Sequence, residues 1–390
     1  YKKKLKRYSL YRLKYFQKNN YNAAIFLEGL KYFHSNEYKY DTPRNRDRQW
    51  WIALKAKLDS QNQVEKTLSI PKQIDKRLLP VLNDSVQSLS SYKMDQIEKI
   101  KNLCTDWAVK GETPNVTLIV HKGKIIFYDA FGLDENGKPI SKDSKIWMAS
   151  ITKLLTGVLV MQFVDQGLID LDDPISKYLS EFEGNNKLTV RHLFTHTSGL
   201  QFAGEWASDW NVSLENQVTH VLPLVEVGKS FAYHRVGYAL AGKIIERIIG
   251  CAVPYLLQDY IFSPLGMKSA YSDNTYGGLY CSSIDLAKFG QMLLNMGTYN
   301  GFKLFSQQAF EKMLPMKLMV GDREWGIGTS RMSGNGLSES AFGHGAASGT
   351  TFIIDPENDL IIISARNKPG KSHDEYENAL IEFCTSLVSK

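Results

Sequence analysis

Ser150 and Lys153 stand three residues apart in Ser-Ile-Thr-Lys, which brings a hydroxyl and an amine to the same side of one helical turn. That pairing suits acyl transfer, in which the serine attacks a carbonyl and a neutral lysine takes its proton. Two other Ser-x-x-Lys pairs occur, Ser69 to Lys72 and Ser90 to Lys93. Pro71 interrupts the first, and the second lies in a polar stretch where Ser90 suits a helix cap. Only Ser150 heads a long apolar face, made by Ile151, Leu154, Leu155, Val158 and Leu159, with Lys153 and Gly157 following it on one side. At such a helix start, backbone N–H groups and the positive dipole end favour the negative charge that develops on attack. The lysine serves as base only if a dry or electropositive pocket lowers its pKa. The competing reading is an N-cap serine followed by a surface lysine.

Other spacings point to other chemistry and lack a required residue. His192 and His196 have the i, i+4 spacing of zinc ligands on a helix, but Leu193 stands where a metalloprotease needs Glu, so both are read as structural. Gly237 to Lys243 nearly matches a phosphate-binding loop, yet Ile244 replaces the Ser or Thr, and the run is apolar and helical. No Gly-x-Ser-x-Gly elbow occurs, which removes the usual sign of an α/β-hydrolase. Neither a metal nor a cofactor is expected.

The elements that must position Ser150 follow from the hydrophobic pattern. A helix is expected over Asp95 to Ala108, then a hairpin of Val116 to Val120 and Ile125 to Tyr128 joined across His121 to Lys124. The chain from Ser150 to about Leu314 reads as mostly helical. β-character returns at Thr351 to Ile354 and Leu360 to Ser364 before a last helix from about His373. Strands at both ends of a helical middle predict an α+β architecture, with one antiparallel sheet covered by terminal helices and a largely helical second subdomain beside it.

Composition agrees with a globular protein, since 43% hydrophobic residues in 390 can bury one large domain plus an appendage. No apolar run approaches the ~20 residues of a membrane-spanning helix. The longest, Leu154 to Val164, is broken by Gly157 and Gln162. Cys104, Cys251, Cys281 and Cys384 are too scattered for a zinc site or a disulfide scaffold. Residues 1–93 form a separate region: helical, aromatic and polar to about residue 60, then a connector from Gln61 to about Tyr92, ahead of a catalytic domain over 94–390. Eight Lys or Arg and no acid fall within the first 18 residues. Interleaved with Tyr8, Tyr11, Tyr15 and Phe16, they offer contact with an anionic surface or a partner, although a solvated helix face explains them as well. Nucleic acid is not an expected partner.

Several segments in order resemble the serine β-lactamase and penicillin-binding-protein-like superfamily, most closely its class C β-lactamase-like esterases and D-aminopeptidases. They are Trp147 to Lys153, Leu168 to Leu179 with Leu-Asp-Asp-Pro, Thr189 to Leu200, Phe231 to Gly250, Pro264 to Met267, and Gly343 to Gly349. The resemblance, spanning roughly Pro114 to Lys368, implies the β-lactamase/transpeptidase-like fold and an extracytoplasmic setting. It implies Ser150 as acylated nucleophile, Lys153 as its lysine, and Tyr233 as the tyrosine that helps deprotonate the serine and later activates water. For that role the phenol pKa is expected to be lowered by the neighbouring lysine. His344, Gly345 and Ala346 fall where relatives have Lys-Thr-Gly or His-x-Gly on the strand bordering the cleft. The N–H of Ala347 is then the second oxyanion donor beside that of Ser150.

Two departures narrow the expected substrate. Tyr233-His234-Arg235 replaces the family's Tyr-x-Asn, and Ala346 stands where Gly is usual. Losing the Asn weakens the case for β-lactam and peptide recognition, and His344 would hold a carboxylate less firmly than Lys. Arg235 lies two residues from Tyr233 in an extended segment and is expected to face the cleft, where its forked donors suit a substrate carboxylate; the alternative is an outward salt bridge. The expected activity is hydrolysis of an ester or amide, D-amino-acid or cell-wall derived, through an acyl-Ser150 intermediate. The alternatives are an acyltransferase of the same fold and an inactive binding or sensor protein.

Overall fold

In the computed structural model the described residues are 71, 79–83, 86, 92, 94–179, 182–200, 226–249 and 253–388. The expectations for residues 1–60 and most of the connector, with Ser69, Lys72, Ser90 and Cys251, lie outside them. Helix α1 (Met94–Lys110) leads into strands β1 (Asn115–His121) and β2 (Lys124–Phe131), which form the hairpin expected from the sequence. Its two-residue turn, Lys122 at φ 50° and Gly123 at φ 67°, has both central residues left-handed, as the twist of a tight hairpin demands. The opposite end of the chain returns as β12 (Thr351–Asp355) and β13 (Leu360–Ala365), followed by α7 (His373–Val388). β13 pairs antiparallel with β1, and the eight-stranded sheet runs β2-β1-β13-β12-β11-β10-β9-β8. Its last four strands are two residues long: β11 (Phe342–Gly343), β10 (Ser330–Arg331), β9 (Glu324–Trp325) and β8 (Met316–Lys317).

Both faces of this sheet are covered, and for that reason β1 and β13 are buried along their whole length, polar Asn115, Thr117 and Ser364 included. Ile119, Ile353 and Ile362 face a cluster with Trp107 of α1 and Leu380 of α7. Leu118, Ile354 and Ile361 face the larger core. On that side α5 (Ser283–Leu294) lies close enough that a methyl on Gly290 would meet Ile361 and Phe352 at 3.2 Å.

The middle of the chain is mostly helical. It carries α2 (Thr152–Asp165), α3 (Val190–Phe194), α4 (Val236–Ile249), α5 and α6 (Gln307–Met313), plus a bent helical run from Val253 to Leu265. Two small sheets interrupt it: β3 (Ile146–Ala149) with β5 (Leu279–Cys281) and β4 (Tyr271–Ser272), and the hairpin β6 (Thr298–Tyr299) with β7 (Phe302–Lys303). α2 is buried from Thr152 to Phe163, as a helix apolar on all sides must be. Among the described residues no helix is long and apolar enough to cross a membrane, and Cys104, Cys281 and Cys384 are buried free thiols.

Candidate active site

Ser150 sits at the junction of β3 and α2. Ala149 takes φ 43°, a left-handed turn uncommon for a residue with a side chain, which reverses the chain direction between strand and helix. The turn is pinned from inside: Thr152 Oγ1 donates to Ala149 O at 2.6 Å and accepts from Leu279 N of β5 at 2.9 Å. The N-cap position belongs to Ile151, and no side chain caps the helix, so Ser150 is not tied up as a cap. Its hydroxyl instead faces Lys153, whose Nζ stands 3.2 Å from Ser150 Oγ.

Lys153 is no surface lysine, being only 3% exposed. Burial, with the Arg235 charge second, lowers its pKa to about 7, so the free base is well populated at neutral pH. Nζ also donates to Tyr276 O at 2.7 Å. That carbonyl is held by an Asx turn in which Asn274 Oδ1 accepts from Tyr276 N and Gly277 N at 3.0 and 2.8 Å. The ammonium lies 5.0 Å from the ring centre of Tyr233 and 5.6 Å from that of Tyr238. One turn further along the same face α2 touches backbone: a methyl on Gly157 would meet Ile327 O at 2.1 Å, and one on Gly328 would meet Lys153 O at 2.5 Å. Glycine at both places lets the loop after β9 lie against the helix that carries Ser150 and Lys153.

Tyr233 lies on coil just before α4, half exposed, with its phenol in hydrogen-bonding reach of Ser150. Burial of the hydroxyl end raises its pKa above the usual 10, and the Ser150 contact opposes this only in part. The sequence led to the opposite expectation. Desolvation penalises the phenolate, and a lysine that is itself largely neutral gives little charge to offset it. The phenol therefore stays protonated and suits a proton relay better than a base.

Arg235 is half buried and near enough to Lys153 to help lower its pKa. His344 departs from expectation. It is 2% exposed, burial lowers its pKa to about 3, and its Nδ1 donates to Gly345 O at 2.5 Å, so it offers the cleft no charge. It also lies past the end of β11 rather than within the strand, although its N–H still donates to Phe352 O of β12 at 3.3 Å. Gly345 and Ala347 are exposed and Ala346 is half exposed, forming the open turn beyond β11.

The two histidines read as structural separate here. His192 closes a capping box with Thr189 at the start of α3. His196, 3% exposed and at φ 58°, lies against Tyr233 with ring centres 4.5 Å apart. Trp325 of β9 packs 5.0 Å from His196 and 5.7 Å from Tyr233. Sequence reasoning singled out neither His196 nor Trp325 for the site. The phosphate-loop mimic is part of α4, where a methyl on Gly237 would strike Leu193 O at 2.1 Å, and Lys243 is buried beside Glu246.

The Beta-lactamase family model matches residues 108–383. An uncharacterized protein of Alkalihalophilus pseudofirmus is 27% identical over 294 residues, 65% of this chain and 83% of that one. The D-amino acid amidase of Ochrobactrum anthropi superposes with a TM-score of 0.64 at 20% identity, covering 76% of this chain and 100% of that chain. A family VIII carboxylesterase superposes with a TM-score of 0.63 at 19% identity, covering 77% and 99%. At such identities the two superpositions speak for the fold.

Proposed function

Because this chain belongs to the beta-lactamase family, we propose that it is a serine hydrolase that cleaves an ester or amide through an acyl-Ser150 intermediate. One observation carries the reading: a buried lysine with pKa near 7 holds its Nζ 3.2 Å from a serine hydroxyl at a helix start. Ser150 Oγ attacks the carbonyl carbon while its proton passes to neutral Lys153 Nζ. The N–H groups of Ser150 and Ala347 receive the oxyanion. On collapse the C–O or C–N bond breaks and the leaving group takes a proton from the Tyr233 phenol, which Lys153 replenishes. Water then attacks the acyl-serine, giving its proton to Lys153 through Tyr233; the acyl C–Oγ bond breaks, Ser150 Oγ takes that proton back from Lys153 Nζ, and the acid product leaves with neutral Lys153 restored.

The substrate class follows from the departures at the second and third motifs. Arg235 beside Lys153 favours an acyl donor carrying a carboxylate, in keeping with a D-amino-acid or cell-wall-derived compound. The names of the amidase and the carboxylesterase that share this fold agree with amide or ester cleavage.

The test is intact mass after mixing with p-nitrophenyl esters, a D-amino acid amide or a β-lactam, for wild type and Ser150→Ala. Turnover, or an adduct mapped to Ser150, that disappears in the variant is the expected result. An adduct that persists and moves only to an added amine or alcohol means acyl transfer, and no adduct with any donor means a binding protein.

A further inference from the structure

We infer that His196 is the positioning residue for Tyr233, gripping the coil on both sides of the phenol with its carbonyl oxygen and its imidazole Nδ1. Tyr233 belongs to no helix or strand, so nothing in regular secondary structure fixes where its hydroxyl points. The two amides flanking it are both bound by one residue 37 positions earlier. Ala232 N donates to His196 O at 2.9 Å, and His234 N donates to His196 Nδ1 at 3.1 Å. The imidazole also packs against the tyrosine ring itself, with centres 4.5 Å apart and planes at 41°. His196 thus limits translation of the segment through two hydrogen bonds and rotation of the phenol through the ring contact.

The clamp is itself anchored. α3 ends at Phe194, and Thr195 Oγ1 bonds back to Arg191 O at 3.0 Å and on to Thr197 Oγ1 at 2.8 Å. The left-handed backbone at His196, φ 58°, turns its carbonyl and side chain together toward the 232–234 segment. Because a backbone N–H donates to Nδ1, the imidazole proton is on Nε2. Burial keeps the ring neutral, so the acceptor persists through the working pH range.

The consequence for catalysis rests on the hydrolase reading. A relay works only when the phenol is held within hydrogen-bond reach of both groups it serves, and an ångström of misplacement costs on the order of 100-fold. Side-chain geometry supplies a discriminating pair of variants, because an asparagine amide reaches the place of Nδ1 whereas a glutamine amide reaches that of Nε2. His196→Gln is expected to lower kcat about 10- to 100-fold with KM within about threefold, while His196→Asn stays within about fivefold of wild type.

The experiment uses the full chain labelled with 13Cζ-tyrosine, the Tyr233 line being assigned by its loss in Tyr233→Phe. That line is expected to shift or broaden in His196→Gln and to keep its wild-type position in His196→Asn, with ester kinetics following the same order. An unmoved Tyr233 line in His196→Gln overturns the proposal, as does kcat within threefold of wild type in that variant, or an equal loss in both variants with both folded by circular dichroism. If wild type shows no Ser150-dependent turnover, the hydrolase reading fails by itself, and the Tyr233 line still decides whether His196 holds the phenol.

Discussion

Lys153→Met is expected to stabilise the protein and inactivate it in the same step. Burial, with the Arg235 charge behind it, brings Lys153 from 10.5 to about 7. That gap corresponds to about 5 kcal/mol against the charged form in the folded state. Its sign is fixed by proton counting. Between pH 7 and 10.5 the unfolded chain holds the proton and the folded chain does not, so wild-type stability rises with pH across that window. The penalty is full at about 5 kcal/mol well below pH 7, about 2 kcal/mol near pH 9, and absent above 10.5. Methionine removes the charge at similar volume but loses the bonds to Ser150 Oγ and Tyr276 O, a loss of about 1–3 kcal/mol that does not vary with pH. The net gain is therefore about 2–4 kcal/mol around pH 6.5 and falls to about zero by pH 9.5. Urea unfolding of both proteins at the two pH values, with m-values compared, measures it. A stability difference that is the same at both pH values would refute the depressed lysine, and with it the proposed base.

Three further outcomes follow from the same geometry. The acid limb of kcat/KM is expected to rise with pH through about 7, where Lys153 loses its proton, with no alkaline limb below about pH 10 because the Tyr233 phenol is raised; a profile flat from pH 5 to 8 would contradict it. Arg235→Asn is expected to lower kcat/KM about 10- to 150-fold for donors bearing a carboxylate, the value of a charge-assisted hydrogen bond, while neutral esters change little. It should also move the acid limb to higher pH, because a positive neighbour of Lys153 is gone; equal losses on both donor types would assign Arg235 a positioning role instead. Gly157→Ala is expected to cost about 1–3 kcal/mol in urea unfolding, because the new methyl meets the Ile327 carbonyl at 2.1 Å and backbone cannot yield as a side-chain tip does; an unchanged midpoint would show that the 326–328 loop moves freely.

What the sequence disclosed depended on whether the signal was local. The α2 helix and the β1–β2 hairpin were legible because their signals lie within a dozen residues, although α2 proved to be buried on all sides rather than along one apolar face. The terminal helices came out close to their observed bounds, with α1 longer by one residue at its start and two at its end. That the first and last strands share one antiparallel sheet followed from element order, while the direct pairing of β1 with β13 did not. The Tyr233 pKa did not follow, since a motif names a neighbouring lysine but says nothing of burial, which outweighs it here. His196 was discounted for lacking a metalloprotease glutamate, the right test for zinc and silent about a clamp. Its left-handed backbone and its partners at Ala232 and His234 exist only in three dimensions. The same holds for His344, whose place in the third motif suggested the cleft wall while the fold covers it.

The central strand pair also sets a schedule for synthesis. Thr117 of β1 and Ser364 of β13 share a hydroxyl contact across 247 residues of chain. At a ribosomal rate of about 5–20 residues per second, β1 therefore waits roughly 12–50 s for its neighbour. Until then only the β2 side of β1 has a partner, and the other side offers a row of unpaired amides and carbonyls on a strand whose Val116, Leu118, Ile119 and Val120 are destined for burial. Such an edge is a template for pairing with another nascent chain, so the interval before β13 emerges is when the strand is most open to mispairing. Rearranging the chain so that β12, β13 and α7 precede α1 would place the partner strands within one short stretch of synthesis and remove that interval.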